Sequence, residues 1–302
     1  MELKDQLSWN EFLKYSRKDQ IISEVKPFNR LVAHSKNLFI VAGYGAFTEG
    51  YILIITKDFI PSFGLVDDKV VAELNFLIKL FKFNNNKKYQ RNSVVFEHGM
   101  CACIGGLDRA HVHIMSINKN TSENSLKSSI EKVLQKRKLG INYIKFGKHK
   151  LENIHDINQF MDDPQNIEGK DYEVNGKLFK LDDITNLDFN EWPHVTLNHI
   201  NKGGHYVYFR SDNDNASFLT TQNFKTQFGR EVVFENELML CDEFRNKIKS
   251  LKKKNPLLEL WKWQNWMFDS NIIETVNNSR QYLKDYKSMF YSEYEEFHLE
   301  II

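Results

Sequence analysis

The chain has 302 residues, with 41 basic and 40 acidic side chains and a formal net charge of +1. This balance argues against a protein whose affinity rests on neutralising a nucleic-acid backbone, and leaves open a small anionic ligand held by local donors. Hydrophobic residues at 41% and aromatics at 13% exclude a disordered chain, and the length fits one domain with a large extension or two domains.

The opening Met1-Glu2-Leu3-Lys4-Asp5 lacks the apolar stretch of a signal peptide, so a cytoplasmic protein is expected. Ser8 to about Gln20 has the pattern of a short polar helix, with Ser8 as cap and Glu11 three residues on. Two β-rich runs follow, Leu38–Ala42 and Tyr51–Thr56, joined by a glycine-rich connection, and they read as paired strands. Gly43, Gly45, Glu49 and Gly50 break up this most apolar part of the chain and rule it out as a membrane span. From Asp67 the spacing turns helical. Val70, Val71, Leu74, Leu77, Ile78 and Phe81 share one face, Asp67 or Asp68 caps the start, and Asn84-Asn85-Asn86-Lys87-Lys88 is read as the end.

A strand is expected at Ser93–Glu97, then a loop with Gly99, Gly105 and Gly106, then a strand over Ala110–Ile117. Lys119 to Lys138 reads as a charged helix, and residues 146–199 as a polar connecting region. Beyond it come a hairpin, His205–Phe209 with Ser217–Thr221, a helix capped by Asn223 and running through Phe234, and an aromatic, mostly helical stretch from Leu257 to Tyr286. Lys252-Lys253-Lys254 reads as a solvated helix face, and Trp261, Trp263 and Trp266 as packing material. The implied organisation is a domain over residues 1–145, the connection, and a C-terminal α/β extension over 200–302. The fold class is α+β, an antiparallel sheet with packed helices.

The chemistry concentrates in residues 97–115. On an extended strand Arg109, His111 and His113 point to one face, while Ala110, Val112 and Ile114 point to the other. Backbone amides at Gly105 and Gly106 can approach a phosphate closely. A neutral imidazole can attack phosphorus, and a neighbouring guanidinium and second imidazole can stabilise the transition-state charge. Glu97 and His98 are candidates for the wall of such a pocket, or else satisfy backbone groups in the loop. Cys101 and Cys103 with these histidines offer zinc-type donors, but Cys-x-Cys plus His-x-His is not a standard metal spacing, and no metal is assigned. Three cysteines, with Cys241, are too few for a disulfide framework. His194, His199 and His205 are scattered and take no role.

Residues 22–119 resemble the histidine triad (HIT) superfamily. The resemblance rests on Asn37-Leu38-Phe39-Ile40-Val41, Glu49 to Lys57, Ile60-Pro61-Ser62-Phe63, Val94-Val95-Phe96-Glu97-His98-Gly99 and the histidine strand, all in the family's order. Asp108-Arg109-Ala110-His111-Val112-His113-Ile114 is similar to a family pattern Asp-His-Ala-His-x-His followed by an apolar residue. Two registers fit. In one, Arg109 replaces the first histidine and His111 is the nucleophile. In the other, His113 is the nucleophile and Met115 stands third. The wording of the motif favours the first. Arg109 departs from the pattern, and so does Thr56-Lys57-Asp58-Phe59, which stands where Pro-Lys-x-His is common. Gly43-Tyr44-Gly45 offers no carboxylate for ribose hydroxyls.

The resemblance implies a nucleotidyl hydrolase or transferase. Its substrate would be a nucleotide or dinucleotide carrying a phosphoanhydride, phosphoramidate or phosphoester, attacked without cofactor through a nucleotidyl-histidine intermediate. It also implies a homodimer, with the long extension able to stand in for the partner. The alternatives are an inactive nucleotide-binding sensor or interaction protein, which Arg109 favours, and processing of capped or adenylated nucleic-acid ends, which the near-neutral charge disfavours. Thr226-Gln227-Phe228-Gly229-Arg230 and Asn271–Thr275 resemble downstream elements of longer members. Arg230 has two readings, a phosphate contact or a surface helix position.

Overall fold

The structure is a computed structural model, and it describes residues 30–43, 45–99, 103–104, 107–139, 143–146, 171–174, 177–180, 206–211, 217–220, 227–254, 256–257, 259–266 and 271–302. The helix expected at Ser8–Gln20 and most of the 146–199 connection lie outside the described residues. So do Gly105, Gly106 and the cap Asn223.

In chain order the strands are β1 (Leu31–His34), β2 (Leu38–Ala42), β3 (Ile52–Thr56), β4 (Asn92–Gly99), β5 (Cys103–Ile104), β6 (Leu107–Asp108) and β7 (His111–Ile117). They continue as β8 (Tyr143–Phe146), β9 (Asp171–Val174), β10 (Lys177–Lys180), β11 (Tyr206–Ser211), β12 (Ser217–Thr220) and β13 (Glu300–Ile301). The helices are α1 (Asp68–Tyr89), α2 (Glu123–Lys136), α3 (Phe228–Leu240), α4 (Asp242–Lys254), α5 (Asn271–Tyr286) and α6 (Tyr291–Glu296).

Eleven of these strands form one antiparallel sheet in the order β10-β9-β8-β12-β11-β4-β7-β3-β2-β1-β13, with β5 and β6 paired separately. The α+β class with helices on an antiparallel sheet is thus the observed one. The sheet runs through both of the boundaries drawn from composition. β11 hydrogen-bonds directly to β4, Tyr206 opposite Gly99 through Ser211 opposite Val94, and β13 pairs with β1. No helix of the described residues is long and apolar enough to cross a membrane.

The sheet has two covered faces. On one, Ser93, Val95 and Glu97 of β4 lie beneath α1, whose Asn85 donates to Ser93 Oγ at 3.0 Å. Asp67 caps α1 by accepting from the Val70 amide at 2.9 Å. The helix runs past the expected stop at Asn84 because Asn84 and Asn85 are buried, the latter tied to β4. It ends at Gln90, whose φ of 52° closes the last turn. α5 and α6 join α1 here through Phe76 with Phe290, Tyr294 and Phe297, and Phe83 with Tyr282 and Tyr286.

On the other face Phe96 and His98 of β4, with His111 and His113 of β7, lie beneath the start of α3. α3 is fixed by α2 through buried carboxylates. Glu231 takes Lys136 at 2.6 Å and Arg137 at 2.7 Å, and Glu235 takes Lys132 at 2.7 Å. Glu237 takes Arg91 at 2.5 Å and the Asn118 amide at 2.6 Å. α2 starts at Ser122 through a capping box with Ser125, a tighter definition of the charged helix expected from Lys119.

Candidate functional site

The site is built on β7, where alternation sends His111 and His113 to the α3 face while Val112 and Ile114 are buried on the α1 face. In the register of the sheet His113 lies opposite Phe96 on β4 and Leu53 on β3, and His111 lies opposite Ile55. The two imidazoles are 4.9 Å apart, centroid to centroid. His98 on β4 brings a third ring 6.2 Å from His113. Phe96 stacks on His113 at 4.4 Å with the planes 8° apart, which fixes the tilt of that ring.

Each ring is oriented by a specific partner. His111 Nδ1 lies 3.1 Å from the carbonyl oxygen of Arg109. A carbonyl only accepts, so Nδ1 carries the proton and Nε2 keeps a bare lone pair. Burial pushes the His111 pKa down to about 4, the Arg109 carbonyl opposing, so the ring is neutral at pH 7. His113 Nδ1 meets the Tyr51 hydroxyl at 2.7 Å. Burial first, then the neighbouring His111, His98 and Arg230, hold its pKa well below 6.5. His98 Nε2 accepts from the Gly229 amide at 3.0 Å, and burial lowers its pKa to about 3.

Arg109 does not stand beside the imidazoles as alternation predicts. β7 begins only at His111, and the preceding turn directs the guanidinium to the carbonyls of Thr56, at 3.1 Å, and Lys57. It packs 4.1 Å from the centroid of the Phe59 ring and is fully buried. Arg109 and Phe59 thus touch each other. The pair stacks a cation on an aromatic face beside the paired ends of β3 and β7.

Glu97 is also placed differently from expectation. It lies on the α1 face, fully buried, accepting from the Tyr206 hydroxyl at 2.6 Å and the Phe63 amide at 2.8 Å. Strand alternation separates it from His98 and sends the two neighbours to opposite sides of the sheet. Desolvation raises its pKa to about 7, against the lowering effect of these donors. Glu97 therefore holds the turn before α1 rather than lining the histidine face. Gly105 and Gly106, the expected phosphate cradle, lie outside the described residues.

Three more residues build the site, of which only Arg230 has a reading from sequence. Tyr51 has the same parity as Leu53 and Ile55, so alternation alone would have placed it on the histidine face. Gly229 packs so closely that a Cβ there would come within 2.3 Å of the Phe96 ring. Arg230 is neither a surface residue nor a spare cation. It is 3% exposed, donates to the Gly45 carbonyl at 2.5 Å, and its guanidinium lies 5.2 Å from the Phe47 ring and 5.3 Å from that of Tyr51. Nothing local in the sequence signals these long-range contacts.

Among the described residues no group of three or more His, Cys, Asp or Glu is arranged to hold a metal ion. An open cleft of about 620 Å³, lined by Lys88, Arg91, Lys119, Glu243 and Glu274 among others, contains none of the histidines and mixes both signs of charge. A comparison with models of known protein families gives no match, and neither does a comparison with curated proteins.

Proposed function

We propose that the protein is a nucleotidyl hydrolase or transferase of histidine-triad type, with His111 as nucleophile. The observation that carries this reading is the His111 ring itself. It is neutral at pH 7, with its proton held on Nδ1 by the Arg109 carbonyl and its Nε2 lone pair unprotonated beside a second imidazole. That is the state in which imidazole attacks phosphorus. The ordered resemblance of the hairpin, helix and histidine strand to the HIT pattern supports the same reading.

In the proposed reaction the Nε2 lone pair forms an N–P bond to the substrate phosphorus. The bond from phosphorus to the leaving oxygen, or to the leaving nitrogen of a phosphoramidate, breaks, and its electron pair departs with that atom. The substituted imidazole is then cationic, and its Nδ1–H bond to the Arg109 carbonyl strengthens as charge develops. Water or an acceptor hydroxyl attacks next, a new O–P bond forms, the N–P bond breaks, and its pair returns to Nε2. The proton of the attacking oxygen passes to solvent. His113 supplies a donor to the phosphoryl oxygens. Arg109 is given a structural role in this scheme, because its guanidinium is bonded to the Thr56 and Lys57 carbonyls. Substrates are nucleotides activated as phosphoanhydrides, phosphoramidates or phosphoesters.

The same occupation of Arg109 favours a second reading, a nucleotide-binding protein without turnover. One experiment separates the two. Wild-type and His111→Ala protein are incubated with diadenosine polyphosphates and nucleoside phosphoramidates, and intact mass and products are followed. Product, or a nucleotidyl adduct absent from His111→Ala, is the expected outcome. Saturable binding with neither would establish the second reading instead.

A further inference from the structure

We infer that the C-terminal helix α3 sets the tautomer of His113: Arg230, acting through Tyr51, holds the ring with its proton on Nε2, so that His113 is a hydrogen-bond donor in the site. The inference deepens the proposed function and rests on it for its catalytic meaning, while the tautomer itself is a property of the substrate-free protein.

Tyr51 is 2% exposed and its hydroxyl lies 2.7 Å from His113 Nδ1, so one of the two must give the hydrogen. The Arg230 guanidinium lies 5.3 Å from the centre of the Tyr51 ring, and Arg30 is a second cation that acts on the same phenol. Guanidinium groups only donate. The phenolic oxygen therefore turns its lone pairs toward these cations, and the hydroxyl hydrogen has His113 Nδ1 as its acceptor. The reverse arrangement would aim the hydroxyl hydrogen at cations. Nδ1 is therefore the bare nitrogen of His113, and its proton sits on Nε2. His111 has the opposite pattern, enforced by the Arg109 carbonyl. The two rings present complementary Nε2 atoms, one a lone pair and one an N–H, from the same face of one strand.

The relay is held rigidly. Arg230 is anchored on the Gly45 carbonyl at 2.5 Å, the Tyr51 and His113 rings lie 13° from parallel, and Phe96 stacks on the far side of His113. His113 is pushed toward its neutral form, in which a tautomer is defined. Arg230 and Tyr51 are positioning residues in this scheme, since each acts through His113.

The test is two-bond proton–nitrogen correlation NMR of the imidazole rings in the full ¹⁵N-labelled chain at pH 7.5. His113 is assigned by the loss of its signals in His113→Asn. In wild-type protein His113 is expected with a protonated Nε2 and a bare Nδ1, and His111 with the reverse. Tyr51→Phe keeps the ring and its packing but removes the donor, so His113 moves to a mixture of tautomers. Arg230→Met has the same effect, and Arg230→Lys, which keeps a cation beside Tyr51, retains the wild-type pattern. A wild-type His113 protonated on Nδ1, or a pattern unchanged in Tyr51→Phe, overturns the inference. So does an Arg230→Met protein that is less stable yet keeps the tautomer, because Arg230 would then be a clamp alone. Where turnover is found, Tyr51→Phe lowers kcat roughly tenfold with KM within about twofold, less than the loss of a complete oxyanion donor. The wild-type NMR pattern without any adduct supports the tautomer lock and removes only the catalytic reading.

Discussion

Gly229→Ala tests the docking of α3 on the histidine face with a single methyl group. A Cβ at Gly229 would lie 2.3 Å from two carbons of the Phe96 ring and 3.1 Å from His98 Nε2. Carbon contacts settle at about 3.5–4.0 Å, so the ring or the helix must shift by roughly 1 Å. Neither moves freely. Phe96 is fully buried and stacked on His113, and α3 is pinned by the carboxylates of Glu231, Glu235 and Glu237. Overpacking of this kind costs about 1–3 kcal/mol. The helix propensity gained on replacing glycine, at most about 1 kcal/mol in a helix interior, is smaller in a first turn. A net loss of about 2 kcal/mol is expected, a fall of roughly 3 °C in melting temperature for a chain of this size. Urea denaturation followed by circular dichroism, with thermal melts alongside, measures it, and the exposed helical control Ser250→Ala stays within about 0.5 kcal/mol of wild type. Phe96→Leu in the Gly229→Ala background makes room for the methyl group, and the pair should couple by roughly 1 kcal/mol or more in a double-mutant cycle. A Gly229→Ala protein as stable as wild type, or additive with Phe96→Leu, would refute the close packing of α3 on the site.

Two further substitutions probe the framework. The raised Glu97 pKa means that the fold binds this proton more tightly than the unfolded chain. Its contribution is fully present below about pH 4.5 and is lost as pH rises to about 7, a change of roughly 3 kcal/mol. The stability difference between wild type and Glu97→Gln, measured by urea denaturation from pH 4.5 to 8, should drift against wild type over that window, and a pH-independent difference would show the carboxyl to be ionised throughout. Glu231→Gln removes the charge that pairs with Lys136 and Arg137. Because those partners are partly exposed, the expected loss is about 2 kcal/mol, below the range for fully buried pairs, and an unchanged urea midpoint would mean the α2–α3 contact does not depend on it.

Period and punctuation make the elements nearest the site legible. Apolar, β-rich runs at Leu38–Ala42 and Tyr51–Thr56 specify the hairpin, alternation in Ala110–Ile117 specifies the histidine strand, and Asp67 with a helical apolar stripe specifies α1. Position across long distances was not legible. The α1 stop misread as Asn84 is a case in point, since an asparagine run signals solvent unless a partner such as Ser93 waits on another strand. Arg109 shows the same limit, because alternation holds only inside a strand and β7 starts two residues later. Glu97 is the last residue of the expected strand and His98 falls in the loop after it, so their separation to opposite faces follows only from the strand running on to Gly99. Arg230 and Gly229 depended on contacts made more than a hundred residues away, which no local pattern encodes.

The interleaving of β11 beside β4 and of β13 beside β1 has a consequence for synthesis. When residue 200 has been made, β4 and β1 both present unpaired backbone edges, and the histidine face has no helix over it. Such edges are templates for pairing with other chains. Contacts spanning so much sequence must also close slowly, because loop-closure entropy is lost before the pairing rewards it. The histidine face is therefore completed late, only after β11 and α3 have been made.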